Sequence, residues 1–183
     1  MWCIVVGHTV GMTDSHAIDL ALLVFRLAVG GVMLAHGYNH VFGGGKIAGT
    51  ARWFGSMGMR PPLVQAWVAS LTELGAGASL ILGLFMPLGG AGVVGTMTVA
   101  FIINHRKNGF FIFRPGEGYE YVMTLIACGI ALGTLGAGTW GLDHAFKIDD
   151  NLVGTTGLLI AALAGGLGGI LTVVACWRPE KKA

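Results

Sequence analysis

The sequence predicts an all-α membrane protein, built as a four-helix transmembrane bundle with an additional C-terminal transmembrane helix. Hydrophobic residues make up 54% of the 183 residues, charged residues only 11%, and the mean hydropathy is +0.74. A water-soluble domain with so few charges would not stay in solution. Glycine contributes 32 residues without a collagen-like repeat, which is typical of helices that pack closely in lipid.

Five apolar segments are expected to cross the hydrocarbon core, which needs about 20 mostly apolar residues. They cover residues 18–38, 63–86, 88–104, 119–135 and 152–177. Pro87 marks the break before the third segment, and the polar run from Asn104 to Lys107 ends it. We therefore expect an N-terminal lead over residues 1–17, extramembrane or interfacial. A four-helix membrane domain over 18–143 follows, and then a further transmembrane helix with a basic cytoplasmic tail over 144–183.

Small residues spaced four apart predict close contacts between helices. Such spacings occur at Gly75, Ser79 and Gly83, at Gly129 and Gly133, and at Ala161, Gly165 and Gly169.

The basic residues predict the orientation, because loops that stay in the cytoplasm carry the excess of Lys and Arg. Nine of them lie in the loop after the first segment, the loop after the third and the C-terminal tail: Lys46, Arg52, Arg60, Arg106, Lys107, Arg114, Arg178, Lys181 and Lys182. The opposite face holds only Lys147. This predicts a multi-pass protein with its N terminus outside and its C terminus in the cytoplasm. The net charge of +2 and the absence of a basic stripe with aromatics argue against a nucleic-acid partner.

Two opposite charges lie inside apolar stretches, Arg26 in the first and Glu73 in the second. An ionisable group at membrane depth costs roughly 2.5 to 3.5 kcal/mol, so such residues usually face a bundle interior and pair. The first two helices run antiparallel, and the expected depths allow an intramembrane ion pair between Arg26 and Glu73. The pair has two interpretations, a clamp that fixes helix register or the charged wall of a ligand pocket or proton path.

A polar cluster is expected where the helices reach the cytoplasm. His36 and His40 share a helix face if the first helix continues that far, and His105 ends the third helix. The fourth helix opens with Glu117, Tyr119, Glu120 and Tyr121. This cluster has three possible interpretations: hydrogen bonding and proton exchange at the mouth of a cavity, a metal site, or ordinary interfacial side chains. The metal site is the weakest of the three, and no metal site is predicted.

Residues 49–62 place Trp53 and Phe54 next to Arg52 and form an amphipathic segment. Such a segment either anchors in the headgroup plane or acts as a lid over a ligand entrance.

The ordered series of motifs resembles the DoxX family of small bacterial membrane proteins. The series consists of residues 34–43 (LAHGYNHVFG), 53–59 (WFGSMGM) and 73–77 (ELGAG), then His105, residues 108–111 (NGFF) and residues 118–121 (GYEY). The similar region spans roughly residues 18–143. It implies a four-helix bundle in the bacterial plasma membrane and a respiratory or oxidative-stress redox setting, one branch being similar to the membrane subunit of thiosulfate:quinone oxidoreductase.

The family-like positions carried over to this chain are Arg26, His36, Gly37, Phe42, Trp53, Phe54, Gly58, Glu73, Gly75, His105, Gly109, Phe110, Phe111, Gly118, Tyr119 and Glu120. The chain departs from the family pattern in two ways. His40 stands where a lysine often follows the HG motif, and a fifth hydrophobic segment is added. The added segment suggests a docking surface for a second copy or another membrane subunit.

Two functions follow as hypotheses. In the first, the protein is a membrane subunit of a redox complex such as a quinone-linked oxidoreductase, and it holds a quinone or small ligand between its first four helices. His36, His105 and Glu120 would be catalytic and exchange protons, while His40, Trp53, Phe54, Glu117 and Tyr119 would bind the ligand. The sequence carries no haem or cluster motif, so a soluble partner must supply the electrons. In the second, the chain is a non-catalytic scaffold or assembly subunit.

Overall fold

The computed structural model describes residues 12–179, with the side chains from residue 15 onward, and this part of the chain is helical without a β-strand. Helix α1 spans Met12–Phe42, α2 Lys46–Ser56, α3 Pro62–Leu82, α4 Met86–Ala100 and α5 Glu120–Leu135. The short α6 spans Leu142–Ala145 and is followed by a 3₁₀ turn at Asp149–Asn151. The last helical stretch consists of α7 at Thr155–Leu158, a π-helical segment at Leu159–Ala164, and α8 at Gly165–Cys176.

All five predicted apolar segments are helical, and the boundaries differ by a few residues. Helix α1 begins at Met12, inside the predicted N-terminal lead, and continues to Phe42. Residues 1–11 of that lead, and Lys181 and Lys182 of the basic tail, lie outside the described residues. The third segment begins as α4 and ends in a second π-helical segment, Phe101–His105.

Three stretches are long and apolar enough to cross a membrane: Ser15–Phe42, Met86–His105 and Thr155–Cys176. Helix α5 is apolar but shorter. Helix α3 has 21 residues but includes the polar Gln65, Ser70 and Glu73. The described part of the protein is thus all-helical, and its long apolar helices indicate a multi-pass membrane protein.

The helices pack through glycines. Gly30 and Gly37 of α1 lie against Gly77 and Ser70 of α3, so these two helices are antiparallel. Helix α4 lies at the centre and packs on α3, α5 and α8. The predicted small-residue spacing at Ala161, Gly165 and Gly169 lies against α4, with Gly165 next to Ala91 and Gly169 next to Gly95. The C-terminal helix therefore packs on its own bundle and runs parallel to α4.

The bundle has two polar ends, which we call the basic end and the acidic end. The basic end holds α2, the loop between α4 and α5, and the end of α8, where the Arg106 guanidinium lies 5.8 Å from the Trp177 ring. The acidic end holds the start of α1, the α3–α4 turn and α6. There His144 Nδ1 lies 2.7 Å from Asp149 Oδ2, and this hydrogen bond lowers the pKa of the Asp149 carboxyl.

Candidate functional site

A cavity of about 530 Å³ lies in the half of the bundle next to the basic end. It is enclosed by α1, α2, α3, α4, the π-helical segment Phe101–His105, the start of α5 and α8. Most of its wall is apolar or glycine, and the polar and aromatic side chains converge at one end of it. These are His36, His40, Trp53, Phe54, Gln65, Glu73, Asn104, His105, Glu117 and Tyr121. Both the size and the mixture are typical of small-molecule sites, which range from about 300 to 1,000 Å³.

Helix α1 supplies two histidines to this cavity. Because α1 continues without a break to Phe42, His36 and His40 are four residues apart on one face of the helix. The His36 ring stacks on the Tyr121 ring at 6.3 Å between centroids. The His40 ring lies edge-on to Phe54 at 5.9 Å. Aromatic neighbours thus hold both imidazoles while leaving ring nitrogens available to a ligand.

Glu73 of α3 is the buried acid of the cavity. Its Oε2 lies 3.0 Å from His40 Nδ1, and the side-chain exposures of His40 and Glu73 are 13% and 6%. The two atoms are thus within ion-pair distance of each other. Neither of them makes a hydrogen bond to any of the described residues. Burying polar atoms without hydrogen bonds is costly, which favours a bound group that would complete them.

The predicted ion pair between Arg26 and Glu73 is not formed. Glu73 contacts His40, which is fourteen residues from Arg26, about 21 Å along α1. The contacts of Gly30 with Gly77 explain the difference, since they fix the antiparallel register of α1 and α3. In that register Arg26 lies level with the end of α3, about 12 Å beyond Glu73. The predicted depths assumed that the first helix begins at residue 18 and that the second apolar helix ends at residue 86. In the structure α1 begins at Met12 and α3 ends at Leu82.

Arg26 instead belongs to a polar cluster at the acidic end. Its side chain is buried, and Nη2 donates a hydrogen bond to the Trp140 carbonyl oxygen at 3.2 Å. Asp19 and Asp143, both buried, provide the opposite charge. Asp143 in turn accepts hydrogen bonds from the backbone of the α3–α4 turn. This cluster ties the ends of several helices together and lies away from the cavity.

The π-helical segment Phe101–His105 brings His105 into the cavity. The segment is marked by the hydrogen bond from Arg106 N to the Phe101 carbonyl oxygen, at 2.9 Å. His105 Nδ1 lies 3.0 Å from the Glu117 carbonyl oxygen, and Asn104 Nδ2 lies 3.4 Å from His105 Nε2. Single π-helical turns inside α-helices are frequent at functional sites. The loop before α5 thus fixes the orientation of His105.

The structure brings most of the predicted site residues together. His36, His40, Trp53, Phe54, Glu73, His105 and Glu117 all line the cavity. Tyr119 and Glu120 do not line it. The Tyr119 ring packs on Phe101 and Phe110, and Glu120 Oε2 accepts a hydrogen bond from Ile112 N at 3.2 Å.

Sequence reasoning missed Gln65 and Asn104 as lining residues, and it placed Tyr121 in the polar cluster without giving it a role in the site. Gln65 carried a usable signal, because it is a buried polar residue within an apolar segment, as Glu73 is. The position of Tyr121 depends on where α5 begins, which the sequence did not fix.

In chemical terms, the cavity offers imidazole and carboxylate groups beside an apolar chamber. Imidazoles can donate hydrogen bonds to a carbonyl oxygen and exchange protons near neutral pH, and a carboxylate can take up or release a proton. Within residues 12–179, no three His, Cys, Asp or Glu side chains are grouped in a way that could hold a metal ion.

Comparison with known proteins gave a match to the model of a protein family. No curated protein and no solved structure matches the chain significantly. The model of the DoxX family matches residues 21–106, just under half of the chain. That region includes most of α1, all of α2, α3 and α4, the π-helical segment, and eight of the ten convergent side chains of the cavity, among them His36, His40 and Glu73. This match agrees with the resemblance to the DoxX family that the sequence motifs indicate.

Proposed function

We propose that the protein is an integral membrane subunit of a respiratory or oxidative-stress redox complex. In this proposal it binds a quinone or a similar small ligand in the cavity, beside a soluble electron-transfer partner. The observation that supports the proposal best is the buried, incompletely hydrogen-bonded pair of His40 and Glu73 at the end of an apolar chamber. A quinone fits this arrangement, because its ring needs apolar walls and its carbonyl oxygens need donors.

A bound quinone would supply the redox chemistry by taking up electrons and protons at its carbonyl oxygens. His40 would hold one carbonyl oxygen of the quinone by a hydrogen bond, and Glu73, 3.0 Å from its Nδ1, would orient the imidazole. His36 and His105 lie in the same wall and provide further proton exchange. Trp53 and Phe54 exclude water on the side of α2.

The membrane arrangement that goes with this function has five passes. Helices α1, α3, α4 and α5 form a four-helix transmembrane bundle, and α7 with α8 forms the additional C-terminal pass. The N terminus lies outside the bacterial plasma membrane and the basic end faces the cytoplasm, where the excess of Lys and Arg is retained. Exposed Leu167, Leu171 and Val174 on α8 provide a surface for another subunit or a second copy.

The experiment that tests this function is quinone binding by purified protein in nanodiscs. We expect Glu73→Gln and His40→Ala to weaken binding about tenfold, since each removes a partner from the polar end of the cavity. Glu120→Gln is the matched carboxylate control, because its side chain contacts Ile112 N outside the cavity. It also tests the catalytic role that the sequence predicted for Glu120.

If wild-type protein binds no quinone, and His105→Ala leaves quinone-linked turnover of the native membranes unchanged, the redox proposal fails. Loss of accumulation in Arg26→Ala, with full activity in the cavity variants, would instead favour the scaffold function.

A further inference from the structure

A second, smaller cavity lies along α3 and α4 towards the acidic end. Its volume is about 340 Å³. Its lining has no ionisable side chain: Thr72, Gly75, Ala76, Ala78, Ser79, Leu82, Leu84, Phe85, Leu88, Gly89 and Gly92. At the far end of this groove Leu82, Phe85 and Leu88 are about half exposed. The groove is therefore an apolar channel open to the surface of the bundle, where lipid lies.

The groove adjoins the histidine-lined cavity, because Thr72 and Gly92 line both. From Gln65 to Leu82 the combined cleft follows seventeen residues of α3, about 26 Å. That is close to the hydrocarbon thickness of a bilayer, about 30 Å. The cleft therefore has a polar end near the basic end of the bundle and an apolar end near the opposite membrane face.

Packing of the helices keeps this cleft open on one side. Helices α3 and α8 both pack along α4 but not along each other. The cleft's floor consists of small residues; a Cβ on Gly92 would lie 2.9 Å from the Ala76 Cβ, and one on Gly89 would lie 2.6 Å from Ser79 Oγ. By contrast, a Cβ on Gly75 would meet nothing within 4 Å. The open side faces the bilayer, so a ligand can enter sideways without crossing water.

We propose that the ligand of this protein is a long-chain amphiphile with a quinone-like head. The head lies at His40 and Glu73, and its hydrocarbon tail lies in the groove between Thr72 and Leu88. The proposal rests on the proposed function, and it adds the hydrocarbon tail of the ligand, the position of that tail, and a lateral route of entry. The incompletely hydrogen-bonded pair of His40 and Glu73 selects a polar head, which an ordinary acyl chain lacks. The groove, in turn, has only apolar contacts to offer and suits a flexible chain.

The test uses two photoreactive decyl benzoquinones, one with a diazirine at the end of the tail and one with a diazirine on the ring. Both are added to the full chain in nanodiscs, and the crosslinked peptides are identified by mass spectrometry. We expect the tail probe to label residues 75–92 and the ring probe to label residues near His40 or Glu73. Excess unlabelled decyl benzoquinone should suppress both.

Gly75→Leu fills the groove with a side chain and should reduce tail labelling of residues 75–92 at least fivefold, while ring labelling persists. Gly31→Leu is the matched control, because Gly31 is also an exposed helical glycine with nothing within 4 Å of its Cβ position. Tail labelling elsewhere, with ring labelling intact, overturns the groove proposal and leaves the quinone site standing. Absence of competable labelling by both probes overturns the proposed function itself.

Discussion

At the scale of single residues, Asp143 joins two distant parts of the chain. Its Oδ1 accepts a hydrogen bond from Phe85 N at 2.7 Å, and its Oδ2 accepts one from Met86 N at 3.0 Å. The first N–H groups of a helix have no partner within the helix, so this buried carboxylate completes the start of α4.

Removing that carboxylate should destabilise the bundle. We expect Asp143→Ala to lower the free energy of unfolding by about 2–4 kcal/mol, because two buried N–H groups lose their acceptor. The exposed Asp150 provides the control, and Asp150→Ala should change stability little. Thermal unfolding in detergent measures both variants, and equal effects would contradict the capping role.

Gly83 shows how a backbone conformation makes room for a buried charge. It ends α3 with φ of +64°, and a Cβ there would overlap the Arg26 guanidinium.

Gly83→Ala should lower the free energy of unfolding by at least about 2 kcal/mol, because the left-handed conformation disfavours alanine by about 1 kcal/mol and the Arg26 guanidinium must also move. Gly31 is the control, because it is an exposed helical glycine with nothing within 4 Å of its Cβ position, and Gly31→Ala should not destabilise the protein. Unfolding in one detergent measures both variants, and an unchanged stability of Gly83→Ala would show that the Arg26 contact is unimportant.

At the scale of helices, the contact of α8 with α4 depends on glycine. A Cβ on Gly165 would lie 2.7 Å from the Ala91 carbonyl oxygen, whereas one on the adjacent Gly166 meets nothing within 4 Å. Gly165→Leu should therefore force α8 away from α4, and Gly166→Leu should not. We expect a fall in melting temperature of several degrees for Gly165→Leu alone, measured by the loss of tryptophan signal or of monodisperse protein on heating.

Hydropathy and proline positions were sufficient to predict the five long helices. The sequence could not predict the π-helical segments, because one extra residue in a turn changes no pattern that composition can detect. The contact of Glu73 with His40 was also missed, and the pairing with Arg26 was wrong, for a different reason. Which residues stand opposite one another depends on glycine contacts such as Gly30 with Gly77, and these follow from packing and not from periodicity.

At the scale of the whole molecule, the predicted orientation can be tested with single cysteines in a background that lacks Cys3, Cys128 and Cys176. Lys147→Cys, in the acidic end, should react with a membrane-impermeant maleimide on intact cells. Arg114→Cys, in the basic end, should react only after the membrane is permeabilised, since basic loops are retained in the cytoplasm. The reverse pattern would invert the orientation and place the mouth of the cavity outside.

The cavity and the Arg26 cluster occupy opposite halves of the bundle, which explains why the candidate site was only partly predictable. Polar residues in apolar segments marked both regions correctly, as Arg26 and Glu73 show. The prediction that Arg26 and Glu73 belong to one site was wrong. The depth of a residue in the membrane is counted from the ends of its helix, and hydropathy does not locate those ends accurately.

The position of His105 in the cavity depends on the one extra residue in the π-helical turn at Phe101–His105. Deleting one residue from it would restore an ordinary α-helix and rotate everything after it by about 100°. His105 would then swing out of the chamber, although every hydrophobic span keeps its length. A relative lacking that single residue would fold and insert normally, yet present a different side chain to whatever the chamber holds.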